Sequence, residues 1–184
     1  MKKYIALAFA GFALTSQAVE YKAITPEKSK VTFNYKQMGV PMDGSFKRFA
    51  VQLNFDPAKP ATAKAQIDID LASVDTGSYE ADDELTGKTW FNTKAFPQAT
   101  FVSKQIKATG ANQFDAVGEL TIKGKTQEVK LPIKYVARGA SGTFTGAFVL
   151  RRSDFAIGEG SWSKFDVVAN EIQVNFQITA SASK

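Results

Sequence analysis

From residue 31 onward, hydrophobic positions recur every second residue. Val31, Phe33 and Tyr35 alternate with Thr32, Asn34 and Lys36, and Phe49, Val51, Leu53 and Phe55 alternate with Ala50, Gln52 and Asn54. The pattern returns in Ala65, Ile67, Ile69 and Leu71, in Ala116, Gly118, Leu120 and Ile122, and in Val129, Leu131, Ile133 and Tyr135. It returns again in Phe144, Gly146, Phe148 and Leu150, and in Ile172, Val174, Phe176 and Ile178. A period of two is the signature of a strand with one dry face. Between the runs, Lys123-Gly124 predicts a two-residue hairpin, and Gly110-Ala111-Asn112 and Gly139-Ala140-Ser141-Gly142 predict further turns. Pro132 sits inside a good strand yet has no N–H to give its neighbour, so it predicts an edge, a bulge or a local opening. The exception to the strand pattern is 78–91, where Glu80, Asp82, Asp83 and Glu84 precede Leu85 and Gly87 can end a short helix.

About eight amphipathic strands and one helix make an all-β chain with the punctuation of an antiparallel meander. Closure into an eight-stranded antiparallel β-barrel removes the exposed edges, and such a barrel encloses either packed side chains or one small ligand. A two-sheet sandwich is the second architecture. A membrane barrel also alternates, but its apolar face points outward between aromatic girdles. Here the polar faces carry many Lys and Asp, no girdles flank the runs, and the chain ends Ala-Ser-Ala-Ser-Lys. These contrasts favour a water-soluble barrel.

The first 18 residues stand apart from that fold. Lys2 and Lys3 precede an apolar run from Ile5 to Leu14, and Ser16-Gln17-Ala18 offers small residues for cleavage. This predicts a signal peptide over 1–18 and a single domain over 19–184, with export to the periplasm. The apolar run is shorter than the roughly 20 residues a spanning helix needs, so no stable membrane insertion is expected. Removing Lys2 and Lys3 leaves 21 basic residues against 18 acidic ones, a net charge of +3. Without a basic stripe and stacked aromatics, that charge gives no reason to expect nucleic acid.

The chain contains no Cys and no His. Thiol nucleophiles, disulfides, Cys-ligated metals, most zinc and copper sites and the Ser-His-Asp machinery are thereby excluded. Asp68 and Asp70 share one strand face about 7 Å apart, but opposite Ile67 and Ile69, so they read as solvent-facing. The run Glu80 to Glu84 lacks the spaced oxygens and turn glycine of a calcium loop, and Gly158-Glu159-Gly160-Ser161 lacks the Lys-Ser/Thr of a phosphate loop. Neither a catalytic set nor a metal site emerges. Arg151-Arg152 follows a strand, and counting from Leu150 turns Arg152 inward, to pair with Asp154 or to meet an anionic head group. The other surplus is 15 Phe, which either fill the barrel or line a cavity.

Several segments together resemble the YceI-like family of periplasmic lipid-binding barrels. They are Ser29-Lys30-Val31-Thr32-Phe33, Gly44-Ser45-Phe46-Lys47-Arg48-Phe49, Phe55-Asp56 and Ser73-Val74-Asp75-Thr76 in the first half. In the second half they are Trp90-Phe91-Asn92, Phe96 to Ser103, Gly118 to Gly124, and Arg152 to Gly158. The resemblance implies a lipocalin-like barrel that holds a long amphiphile, polyisoprenoid or fatty-acid-like, in an apolar channel, without enzymatic activity and without a cofactor other than that lipid. Family members often carry His near the first strand, where this chain has Lys30 and Gln37-Met38-Gly39-Val40-Pro41. Any polar head must then be met by Tyr35, Arg152, Asp154, Trp162 or backbone groups.

The expected ligand face comprises Phe33, Tyr35, Phe49, Val51, Leu53, Ile67, Ile69, Leu120, Ile122, Phe148, Leu150, Val174 and Phe176, with Arg152 and Trp162 beside it. Leu85, Trp90 and Phe91 are expected to form a lid over one mouth. Strand lengths suggest an interior some 25–30 Å long. The partner is a small lipid, and a homodimer is left open. The rivals are a filled, stress-protective barrel that binds nothing and, more remotely, a lipid-modifying enzyme.

Overall fold

The computed structural model describes residues 19 to 183, so the segment read as a signal peptide lies outside the described residues. The described residues form eleven strands: β1 (Glu20–Ile24), β2 (Lys30–Gln37), β3 (Val40–Phe46), β4 (Phe49–Asn54), β5 (Lys64–Asp70), β6 (Val74–Asp75), β7 (Gln98–Gly110), β8 (Gln113–Ile122), β9 (Lys125–Arg138), β10 (Ser141–Arg151) and β11 (Glu171–Ser183). All pairings are antiparallel, in the order β4-β5-β7-β8-β9-β10-β11-β2-β3-β6, with β1 also on β11. The sheet curls until it meets itself. Tyr21 in β1 and Phe55 just past β4 exchange backbone hydrogen bonds at 2.9 and 3.2 Å, forming a seam that closes one end.

Eleven segments occupy eight places around the barrel, which is why the strand count exceeds the expected eight. β1 and β2 run one after the other along β11, facing Ala180–Ser183 and Gln173–Gln177 respectively. They are separated by a 3-10 turn, Pro26–Lys28, whose proline has no N–H for the ladder. β3 and β4 are likewise one bent course, broken at Lys47 and Arg48, whose N–H groups donate to the backbone oxygen and the hydroxyl of Ser73. β6 is a two-residue addition beside β3.

The turns follow the local chemistry. Lys123 and Gly124, with φ of 48° and 72°, make the expected β8–β9 hairpin. Met38 and Gly39, at 50° and 80°, make a second hairpin of the same kind between β2 and β3, one the hydrophobic pattern did not reveal. At Pro132 the opening is realised: the β9–β10 ladder runs only from Arg138↔Ser141 to Lys134↔Thr145, while Pro132 still faces Asp115 of β8. Helix α1 (Tyr79–Thr86) starts at Ser78, whose Oγ accepts from the Ala81 N–H at 3.4 Å, and ends at Gly87. It is shorter than 78–91, so Trp90 and Phe91 sit in the turn that follows. Asp68 and Asp70 are structural: Asp68 accepts from Gln66 and Thr100, and Asp70 from Arg48 and the Ala72 N–H.

The apolar face points inward. Its buried members include Val31, Phe33, Phe101, Ile106, Phe114, Leu120, Leu131, Phe144, Phe176 and Ile178. Among the described residues no helix is long and apolar enough to cross a membrane.

Candidate functional site

The interior has two halves of different character. Near the β1–Phe55 seam it is plugged by aromatic rings: Tyr21, Phe55, Phe114, Tyr135 and Phe144 meet edge-on or tilted, with centroids 5.0 to 6.5 Å apart. Aromatic pairs in such geometries gain from ring-edge contacts beyond their area burial. The Tyr135 hydroxyl donates to that of Tyr21 at 2.7 Å, so both polar tips are met inside the plug. Burial first, and then this hydrogen bond, hold the Tyr135 phenol far above its usual range.

Toward the other end lies a cavity of about 500 Å³. Phe33 and Tyr35 of β2, Ile69 of β5, Ala99 of β7, Leu120 and Ile122 of β8, Phe148 and Leu150 of β10 and Val174 of β11 contribute its wall. α1 leans over it with Leu85, and Trp90, Phe91 and Trp162 complete the roof. Phe33, Phe46 and Phe91 form a run of rings, 5.4 and 6.1 Å apart, along one side. The run needs Gly44 opposite Phe33, because any Cβ at residue 44 would overlap the Phe33 ring. The polar groups lining the cavity come from Tyr35, Gln37, Ser78, Glu80, Glu84 and Arg152. Glu84 is held by the Trp162 indole N–H, which donates to it at 2.8 Å and ties α1 to the turn Gly160–Trp162.

Thirteen of the eighteen expected ligand residues line this cavity: Phe33, Tyr35, Ile69, Leu85, Trp90, Phe91, Leu120, Ile122, Phe148, Leu150, Arg152, Trp162 and Val174. Phe49, Val51, Leu53 and Ile67 do not. They are half-buried, cross-paired between β4 and β5, and packed on the core instead. Phe176 is buried against Gly146, outside the cavity lining. The cavity therefore occupies only part of the interior for which strand lengths suggested 25–30 Å, because the aromatic plug and the buried Phe101, Ile106, Leu131 and Phe176 fill the rest. Neither a wholly filled core nor an open channel describes it.

Arg152 requires the largest correction. It is inward and 1% exposed, but it neither pairs with Asp154 nor has donors to spare. Its Nε donates to Ala169 O at 3.2 Å, and Nη1 to Ile157 O at 2.9 Å and Gly158 O at 3.1 Å. Nη2 donates to the oxygens of Trp162, Lys164 and Val168 at 2.8, 3.0 and 2.9 Å. Five guanidinium N–H bonds thus serve six carbonyls. Strand parity did place Arg152 inside; it could not show that residues 157–169 would fold around the guanidinium. Asp154 accepts from Arg151 instead, at 3.1 Å on the surface. Desolvation lowers the Arg152 pKa, and the Trp90 and Phe165 rings lie 5.4 and 5.0 Å from its guanidinium carbon, a cation–π arrangement.

A second buried cation was not anticipated. Lys123, in the β8–β9 turn, is 8% exposed, and its ammonium donates to Ala156 O at 2.7 Å and Glu159 at 2.8 Å. It pins the same 152–170 segment from the other side and pulls the Glu159 carboxyl below its usual range. Cavity residues missing from the sequence reading include Phe46, Ala99, Glu80 and Glu84. Phe46 and Ala99 lie on β3 and β7, where Gly-Val-Pro and small residues obscure the alternation. The Trp90 indole N–H, buried with a side chain 6% exposed, has no hydrogen-bond partner among the described residues.

Fold and cavity together define the class: a curled antiparallel β-barrel built around an apolar pocket of small-molecule size. Residues 22–180 match the family model described as YceI-like domain, and the chain belongs to that family. Protein YceI of Escherichia coli O157:H7 is 34% identical over 143 residues, 75% of this chain and 74% of that protein. A UPF0312 protein of Azotobacter vinelandii is 29% identical over 169 residues, 85% and 88% of the two chains. Among solved structures, BcnA of Burkholderia cenocepacia superposes with a TM-score of 0.84 at 44% identity, covering 86% of this chain and 99% of that one. A polyisoprenoid binding domain from Saccharophagus degradans shares the fold, with a TM-score of 0.65 at 17% identity over 90% and 99% of the two chains.

Proposed function

We propose that this protein is an exported, periplasmic carrier or sequestering protein for a long-chain amphiphile, an isoprenoid foremost, whose apolar tail occupies the cavity beneath α1. The observation that carries this reading is the cavity itself. It is apolar over most of its wall and roofed by two tryptophans and a phenylalanine. At about 30 Å³ per small group in a liquid, its volume admits roughly 15 to 20 non-hydrogen atoms. A longer chain would extend through the mouth. Each methylene buried contributes about 0.8 kcal/mol before association and ordering costs are met. The polyisoprenoid description of the Saccharophagus degradans domain supports the isoprenoid class, and the sequence pattern of Lys2, Lys3 and the apolar run from Ile5 to Leu14 supports export.

Native mass spectrometry of protein isolated from its own host, followed by organic extraction, tests the reading. A retained lipid of prenyl or similar composition is the expected result. Repeated preparations without lipid, together with no thermal shift on adding prenyl alcohols, would overturn it.

A further inference from the structure

We propose that the cavity selects its ligand by head-group charge, admitting amphiphiles with an uncharged or cationic hydrogen-bond-donating head and rejecting phosphate or carboxylate heads. This rests on the reading of the cavity as a lipid site and specifies the chemistry of the lipid's polar end.

The charged residues lining the cavity are Glu80, Glu84 and Arg152. The single cation among them is unavailable, since all its donors are held by six carbonyl oxygens. An anionic head entering the cavity would therefore find no free cation among the described lining residues and two solvent-exposed carboxylates on the helix at its mouth. Glu84 is fixed in place by the Trp162 N–H. Glu80 accepts from the Ser78 hydroxyl at 3.0 Å. Its own backbone N–H first, and then that hydroxyl, hold its carboxyl below the usual range, so it is ionised at neutral pH.

The acidic field extends further along the same end. Burial first, and then the charges of Asp43 and Asp82, raise the pKa of the Tyr35 phenol on the cavity wall. It stays a neutral hydroxyl, able to accept a hydrogen bond from a ligand alcohol, phenol or amine and to donate one in return. Lys36, the next residue along β2, has its side chain on the opposite face of the strand from Tyr35 and Gln37. The Tyr35 hydroxyl and the Gln37 amide can meet a head that donates or accepts, while the two carboxylates accept only and their charge calls for a head that is not an anion.

Three probes with the same fifteen-carbon prenyl chain separate the outcomes: farnesol, farnesylamine and farnesyl monophosphate, each titrated against the purified protein by calorimetry. The alcohol and the amine are expected to bind about tenfold or more tightly than the phosphate at low ionic strength, a gap that narrows in high salt. In a Glu80→Gln/Glu84→Gln double variant the alcohol-to-phosphate affinity ratio is expected to collapse. Phosphate binding as tight as the alcohol in the wild-type protein would overturn the proposal. So would a ratio unmoved by the double variant. The salt series on the wild-type chain keeps the test valid if that variant folds poorly. If none of the three probes binds, the lipid reading fails and charge selection falls with it.

Discussion

Replacing Arg152 by Met keeps much of the side chain's length and removes every donor. Six carbonyl oxygens spread over residues 157–169 then lose a partner whose contacts run from 2.8 to 3.2 Å. A buried acceptor left unmet costs about 1–3 kcal/mol. The sum does not apply in full, because some carbonyls will find water and because removing the cation also removes its own desolvation cost. A loss of about 4–6 kcal/mol is expected, at the extreme end for a single substitution. For a domain of this size that corresponds to a fall in Tm of roughly 10–20 °C. Equilibrium denaturation in urea, read by circular dichroism, measures it directly. Arg152→Lys should recover only part of the loss, since an ammonium offers three donors to six acceptors. If Arg152→Met instead stays within about 1 kcal/mol of wild type and loses binding of anionic amphiphiles, the cage argument is wrong and Arg152 serves the ligand.

Other substitutions separate the two halves of the interior. Tyr135→Ala in the plug should cost about 3–5 kcal/mol and Tyr135→Phe about 1 kcal/mol, both with little change in chain preference, because no plug ring lines the cavity. Denaturation and a binding series over chain length check both. Ala99→Phe should fill part of the cavity and weaken prenyl-alcohol binding about tenfold or more while costing no more than about 3 kcal/mol. Gly158→Ala should destabilise by several kcal/mol, since φ there is +77° and a Cβ would overlap the Arg152 guanidinium. Because the folded Glu159 carboxyl titrates below its ordinary 4.5, its contribution is complete above that value and is lost as pH falls through the folded one. A Tm-against-pH profile between about 3 and 7 should thus be flatter at its acid end for Glu159→Gln than for wild type.

Much of the barrel was legible because one physical rule governs it: alternation sets a dry face, and closure turns that face inward. Phe33, Leu120, Phe148 and Val174 fall on that face in register. Segmentation was less legible. β3 carries Pro41, Asp43 and Gly44, and only its pairing with β2 reveals it as a strand. Val51, Leu53 and Ile67 share the same parity as the cavity residues, yet parity does not say how far along the barrel a residue lies. Here that distance decides between core and cavity. Arg152 shows a different limit. Its direction follows from counting, but its partners lie 5 to 17 residues downstream in a segment without period. The buried Lys123 lies in a hairpin turn, where sequence alone would put its ammonium in water.

Trp90 and Trp162 are the chain's two tryptophans, and both line the cavity. Intrinsic fluorescence therefore reports on the proposed site with no added label. Titrating the protein with a fifteen-carbon prenyl alcohol should give a saturable change in tryptophan emission at one ligand per protein, strongly weakened in Ala99→Phe. No spectral change up to the solubility limit of the alcohol, or a change that Ala99→Phe leaves untouched, would contradict the assignment of this cavity as a lipid site.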